Sequence, residues 1–374
     1  MTNPGKLLVI GGGVGGISAI VGLRKLDKTV EIVLIEPKEY MEICWAAYRS
    51  PFEAWVAEGS VLDLTAFCQA NHVTHIRALV VTLDTKEATL DNGSVVDFTV
   101  AVVASGATSK WPGLGRGPPT DDGSRLARLQ AIQREGERLL NAGSILVVGG
   151  GIVGTELSGD LKAYANKAGK KLKVTLVHSG EHLCPELSPS AAKMVKDKLE
   201  NMGVTVVLND RADANEKGEM VLNSAGTVVD ANEVIMTTGI SACNSFMNQL
   251  SAEALNEQGF VNTDDYFRVQ GTDGKVFSVG DCCTTLPNSA SQILGNMKIL
   301  GNNIKITMDA IKVHKLRPNL RGLKSFKLGI IGYLVTVGPS DGVFYSAMFW
   351  TQYILPRLKN LTMLFFLAKS ELGV

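Results

Sequence analysis

Lys6-Leu7-Leu8-Val9-Ile10-Gly11-Gly12-Gly13-Val14-Gly15-Gly16-Ile17 is the stretch that decides the fold. A short apolar strand runs into a glycine cluster, and a helical pattern follows to about Lys25. Gly11, Gly13 and Gly16 stand at GxGxxG spacing, with Gly15 in the same turn. The first glycine allows a tight turn, the second lets the backbone approach a pyrophosphate, and the third lets the helix pack close to the strand. The helix N-terminus then offers free N–H groups and a positive dipole end to phosphate. Glycine-rich turns also arise for steric reasons alone. Here the turn follows a strand, opens a helix, and is answered by Glu36 at the tip of the next strand, Glu31–Glu36. A carboxylate there can accept both hydroxyls of an adenosine ribose, so the unit reads as a dinucleotide site.

The same grammar returns mid-chain. A strand at Ser144–Val148 leads into Gly149-Gly150-Gly151-Ile152-Val153-Gly154, a helix to about Ala165 and the strand Leu172–Val177. Gly149, Gly151 and Gly154 repeat the spacing. This second strand ends at Val177-His178-Ser179, without the acid that favours NAD by bonding a free 2′-hydroxyl and repelling a 2′-phosphate. Either His178 and Ser179 tolerate that phosphate or His178 merely ends a strand, so NADH and NADPH both stay open. Two such units imply two dinucleotides: FAD held by the first, and NADH or NADPH visiting the second as hydride donor. The flavin reading gains from Val276–Asp281, where a strand closing on Gly280-Asp281 brings backbone close to the flavin chain and points a carboxylate at ribityl hydroxyls. Val102–Ala107, closing on Gly106, and Ile235–Gly239, closing on Gly239, are similar apolar strands at domain crossings.

At 374 residues the chain holds two or three domains, and 45% hydrophobic residues fill their cores. Lys+Arg and Asp+Glu balance at 37 each, which leaves no field to attract nucleic acid. One local exception is basic: Lys312, Lys315, Arg317, Arg321, Lys324 and Lys327 with no acid among them. The six cysteines form neither CxxC nor CxxxxC, so no redox dithiol or metal site is signalled, and a reducing, cytoplasmic compartment is expected. Leu7–Leu23 is interrupted by motif glycines and reads as folded structure, not a signal peptide. No uncharged apolar run approaches the roughly 18–20 residues needed to span a bilayer.

The expected fold is α/β: two Rossmann-like dinucleotide-binding domains and a small C-terminal α+β domain. Residues 1–109 and 229–310 form a discontinuous FAD-binding domain, 110–228 the NAD(P)H-binding domain and 311–374 the C-terminal domain. Helices are expected at Ser188–Met202 and Ser289–Ile311. The tail reads as strands Phe326–Tyr333 and Leu334–Val337, a turn at Pro339–Gly342, then apolar helical segments.

In their order, these elements resemble the disulfide-reductase-like flavoproteins that bind two dinucleotides. Within that group the chain is similar to the ferroptosis-suppressor and apoptosis-inducing-factor-like branch, near the type II NADH:quinone oxidoreductases. Gly149–Glu156, Val177-His178-Ser179, Val276–Cys282 and Leu334-Val335-Thr336-Val337-Gly338 with Asp341-Gly342 carry the resemblance. It implies hydride transfer from NAD(P)H to FAD, then reduction of a ubiquinone-type quinone to the quinol. It also implies that Glu156 faces flavin and nicotinamide, that Lys359 lies near flavin and quinone, and that Arg49 contacts FAD. The plainer alternatives are a helix N-terminal acid for Glu156 and a solvated lysine for Lys359. Animal members carry an N-terminal glycine suited to myristoylation, where this chain reads Met1-Thr2-Asn3. Membrane or lipid-droplet contact then falls to the tail, through Phe344, Met348, Phe349, Trp350, Tyr353, Ile354 and Leu355 and the run Leu361–Leu367. Burial against the flavin domain or a homodimer partner explains the same composition. A reductase of a small redox protein and a redox-gated, non-enzymatic effector are the competing functions.

Overall fold

A computed structural model describes residues 5–372 except 112, 114–116, 120, 216–217, 225, 285–288, 314–320, 330–331, 347–349, 352–355, 357, 360–361 and 364; at 350–351 and 365–368 it describes backbone alone. Along the chain run β1 (Lys6–Ile10), α1 (Val14–Arg24), β2 (Glu31–Ile35), β3 (Val73–Ile76) and β4 (Val100–Val103). Then come α2 (Arg125–Leu140), β5 (Ser144–Val148), α3 (Ile152–Lys167), β6 (Lys173–Val177), α4 (Pro189–Asn201), β7 (Val204–Val207) and β8 (Glu233–Met236). The chain closes with β9 (Val276–Ser278), α5 (Ala290–Lys312), β10 (Gly332–Val337), β11 (Asp341–Ser346) and α6 (Phe365–Leu372).

Two parallel sheets organise these elements. The first has strand order β9-β4-β1-β2-β3 and the second β7-β6-β5-β8. They share one plan, since β4-β1-β2-β3 corresponds to β8-β5-β6-β7. Each also inserts a three-stranded antiparallel meander before its last plan strand: 80–83, 87–90 and 95–97 before β4, and 212–214, 220–222 and 227–228 before β8. Layers cover both faces of such sheets, so the strands are apolar throughout; Leu7, Leu8 and Val9 are all fully buried. Helix α1 is apolar all round because it is wedged between its sheet and α5. Gly22 and Gly301 permit that crossing: a Cβ on Gly301 would stand 2.2 Å from the Gly22 carbonyl carbon. Ser124, Ser188 and Ser289 cap the N-termini of α2, α4 and α5.

Two expectations are corrected. β8 pairs in parallel with β5, so the return to the first domain comes after Met236 and not at residue 229. The tail also differs, because 323–329 forms no strand. Side-chain amides on α5 take its backbone bonds: Asn303 Oδ1 accepts from Lys324 N (2.9 Å), Asn296 Oδ1 from Lys327 N (2.7 Å) and Gln292 Oε1 from Gly329 N (2.9 Å). β10 contains the expected strand Leu334–Val337, and it pairs antiparallel with β11, whose residues after Gly342 were expected to be helical. Met348, Phe349, Tyr353, Ile354, Leu355, Leu361 and Leu364 lie outside the described residues, as do Lys315 and Arg317. Lys359, Met363 and Leu372 are among the described tail residues that are buried. Among the described residues no helix is long and apolar enough to cross a membrane.

Candidate active site

The three motif glycines of the first unit carry three different constraints. Gly11 has φ +104°, and a Cβ on it would lie 2.3 Å from the Ala104 carbonyl oxygen. Gly16 packs α1 on the turn, with a Cβ position 1.9 Å from the Gly11 oxygen. Gly13 alone would project a Cβ into open space, with nothing within 4 Å. That space is where a backbone cradle admits a pyrophosphate. Gly149 (φ +115°), Gly151 and Gly154 repeat the division: Gly154 would collide with the Gly149 oxygen at 2.0 Å, whereas a Cβ on Gly151 meets nothing within 4 Å.

Gly11, Gly12, Gly13 and Gly15 open onto a cleft of about 1370 Å³. Drug-sized pockets run to roughly 300–1,000 Å³, so this one has room for a dinucleotide and more. Glu36 lies at the β2 end of the cleft, where its Oε2 accepts from Gly12 N (2.7 Å) and its Oε1 from Lys38 N (3.1 Å). Ser105, Gly106, Gly280 and Asp281 line it further along. Gly106 and Gly280 hold φ of +70° and +95°, conformations that favour glycine. Gly239 (φ +70°) stands apart, in a shallow hollow with Thr108, Lys110 and Ser241.

At the far end of the cleft, three parts of the chain converge. Helix α3 of the second unit contributes Glu156, the tail contributes Lys359, and the loop after β2 contributes Tyr48. Lys359 Nζ donates to Glu156 Oε1 at 2.6 Å and to the Leu334 carbonyl at 3.0 Å. Thr336 gives the same carboxylate oxygen its backbone N–H (2.8 Å) and places its hydroxyl 2.8 Å away. Tyr48 Oη lies 3.0 Å from that hydroxyl. A carboxylate only accepts, so Thr336 gives its single proton to Glu156 and takes one from Tyr48. All the bonds to Glu156 fall on Oε1, and Oε2 carries none from the described residues. The Lys359 ammonium also sits 5.4 Å from the centre of the Tyr48 ring. Burial, reinforced by the Glu156 charge, pushes the Tyr48 phenol well above its ordinary pKa and keeps it protonated.

Arg49 is placed behind this wall. Its guanidinium is 1% exposed; Nε donates to Asp160 Oδ2 (2.8 Å), and Nη2 to Asp160 Oδ1 (3.0 Å) and the Gly338 carbonyl (3.0 Å). It therefore joins the first unit to α3 and to the end of β10, and is not among the residues lining the cleft. Burial pushes the Asp160 carboxyl up to about 6, with Arg49 pulling against it. Sequence reasoning named Glu156 and Lys359 without seeing that they pair, and it missed Tyr48 and Asp160. Asp160 was within reach: it follows Glu156 by one helical turn, on the face that also buries Leu157 and Leu161.

The plan of two sheets with two glycine cradles has known counterparts. The chain is 28% identical to ferroptosis suppressor protein 1 of Homo sapiens over 364 residues, 94% of this chain and 91% of that one. It is 28% identical to apoptosis-inducing factor 1 of Saccharomyces cerevisiae over 291 residues, 75% and 74% of the two chains. Among solved structures it superposes on the sulfide:quinone oxidoreductase of Aquifex aeolicus with a TM-score of 0.75 at 16% identity, covering 98% and 92%. On NDH2 from Plasmodium falciparum in complex with NADH the TM-score is 0.74 at 13% identity, with 98% of each chain covered. The sequence profile described as pyridine nucleotide-disulphide oxidoreductase matches residues 5–296. The chain belongs to that family, as an FAD-dependent NAD(P)H oxidoreductase of the apoptosis-inducing-factor-like kind.

Proposed function

We propose that the chain takes a hydride from NADH or NADPH onto FAD in the large cleft and passes the electrons to a quinone, which leaves as the quinol. One observation carries this reading: Glu156 of α3 and Lys359 of the tail, from two different parts of the chain, form one ion pair in the wall of the cleft that the first glycine turn opens. The Aquifex neighbour, a sulfide:quinone oxidoreductase, and the NADH-bound Plasmodium neighbour support it.

The residues fit FAD. Gly13 would leave room for the pyrophosphate, Glu36 would take the adenosine ribose, and Asp281 would meet the ribityl hydroxyls. When bound, FAD supplies the two-electron chemistry. The protein supplies charge and protons. Lys359, held in place by Glu156, would turn its ammonium toward negative charge building on the reacting ring. Overall, one hydride and one further proton convert a quinone to a quinol. Tyr48, Thr336, Glu156 and Lys359 form a hydrogen-bonded row along which that proton moves toward the acceptor.

Because a quinone with an apolar tail partitions into lipid, we place the enzyme at a membrane surface facing the cytoplasm. Flotation with liposomes tests that placement, and protein that stays in the aqueous fraction contradicts it. The functional reading is tested by anaerobic oxidation of NADH and NADPH with a short-chain quinone or a ferredoxin as acceptor. Quinone-dependent turnover is expected. Turnover with ferredoxin and none with quinone would overturn it.

A further inference from the structure

The basic stretch that begins at the end of α5 has no part in the chemistry of the cleft. Between Ile311 and Lys327 the sequence carries six lysines and arginines and no acid. Arg321, Lys324 and Lys327 are exposed, and among the described residues none of the three forms an ion pair. They stand on a strap, residues 321–329, whose backbone is bonded along α5. Asn302 Nδ2 donates to the Gly322 carbonyl (3.3 Å), Asn303 bonds Lys324 and Asn296 bonds Lys327 in both directions, and Gln292 Oε1 accepts from Gly329 N (2.9 Å). Phe326 turns inward, with its ring edge-on to Phe267 at 6.1 Å and its N–H on the Asp265 carbonyl. Leu328 cannot follow it in, because the backbone on either side is committed to α5. It stays 57% exposed beside Lys327.

The partners on α5 fall from Asn303 to Asn296 to Gln292 as the strap advances, so it runs toward the N-terminal end of that helix. There Ser291, Leu294 and the exposed Lys298 line the cleft, and the chain beyond the strap lines it with Gly332 and Tyr333. The basic face therefore ends at the rim of the cleft. Cations of one sign around an outward leucine match a layer of anionic headgroups above acyl chains. Nucleic acid would attract the same charges, but the exposed apolar neighbour is aliphatic and not an aromatic on which bases stack. We propose that the strap 321–329 is the face that docks on anionic phospholipid, which sets the rim of the cleft at headgroup level. This rests on the placement of the enzyme at a membrane and adds the face and the charge of the lipid.

Flotation of the FAD-loaded full chain with phosphatidylcholine vesicles, with and without phosphatidylserine, tests the proposal. Wild type should bind the phosphatidylserine vesicles at least about tenfold more tightly, and lose most of that preference as salt rises from about 0.1 M to about 1 M. Each Lys or Arg near such a surface is worth about fivefold in affinity, so combining Arg321→Ala, Lys324→Ala and Lys327→Ala should weaken binding about 100-fold. Melting and turnover of a water-soluble quinone without vesicles should not change. Lys324→Arg with Lys327→Arg should float as wild type does. Equal binding to the two vesicles, wild-type affinity in the triple alanine variant, loss of binding in the arginine variant, or tighter binding of duplex RNA than of anionic vesicles would overturn the proposal alone. Wild type that floats with neither vesicle would overturn the membrane placement beneath it as well.

Discussion

Glu156 shows how much one residue can be asked to hold. Its Oε1 takes the Lys359 ammonium, the Thr336 amide and the Thr336 hydroxyl in an almost fully buried setting. Tyr48→Phe deletes the far end of this row but keeps the ring beneath Lys359. It should cost about 1 kcal/mol of stability and slow quinone reduction about tenfold, with ferricyanide, which needs no proton, reduced as before. Equal slowing with both acceptors would remove Tyr48 from the proton route. Lys359→Ala strands the Glu156 charge and should lower stability by roughly 3–5 kcal/mol, a loss that adding Glu156→Gln should largely restore. Thermal melts of the single and double variants measure that recovery. The sequence made Glu156 and Lys359 legible, because each matches a family position. Tyr48 was not, since a tyrosine in a loop carries no signal until the fold brings it to 3.0 Å from Thr336, and Thr336 lay in the motif Leu334–Gly338 without a role.

At the scale of elements, α3 is the joint. Glu156 and Asp160 lie one turn apart on its buried face, one paired with the tail and the other with the first unit. Asn296 and Asn303 on α5 play a comparable part, each bonding both ways to the segment 323–329. Arg49→Met leaves Asp160 buried without a counter-charge and should cost about 3–5 kcal/mol, whereas Arg49→Met with Asp160→Asn should cost distinctly less. A double variant no more stable than Arg49→Met would show that the pair is not what joins these elements. Strand and helix periodicities gave the two βαβ units, α4 and α5 to within a residue or two, but not α2. The expected strand failed at 326–329 because its apolar, β-forming side chains say nothing about amides on a distant helix competing for its backbone.

At the scale of the whole molecule, a repeated βαβ plan provides two cradles and the tail closes over the junction between them. The cradles were legible from glycine spacing read together with the strand before and the helix after each turn. The closure was not, because it depends on contacts more than a hundred residues apart, such as Arg49 with Asp160 and Glu156 with Lys359. The glycines separate folding from binding. Gly16→Ala collides with backbone and should destabilise the first domain by about 1–3 kcal/mol or more. Gly13→Val enters open space, so that protein should fold, melt near wild type and lack flavin. Gly151→Val should stay yellow but resist reduction by NAD(P)H.

The most direct test of the central claim follows the flavin itself in a sealed cuvette. Anaerobic NADH should bleach the yellow band near 450 nm (roughly, as for oxidised flavin), and a short-chain quinone added next should restore it. Gly151→Val protein should not bleach with NADH. A wild-type band that ignores NADH, or that bleaches and stays bleached after quinone, would contradict the account.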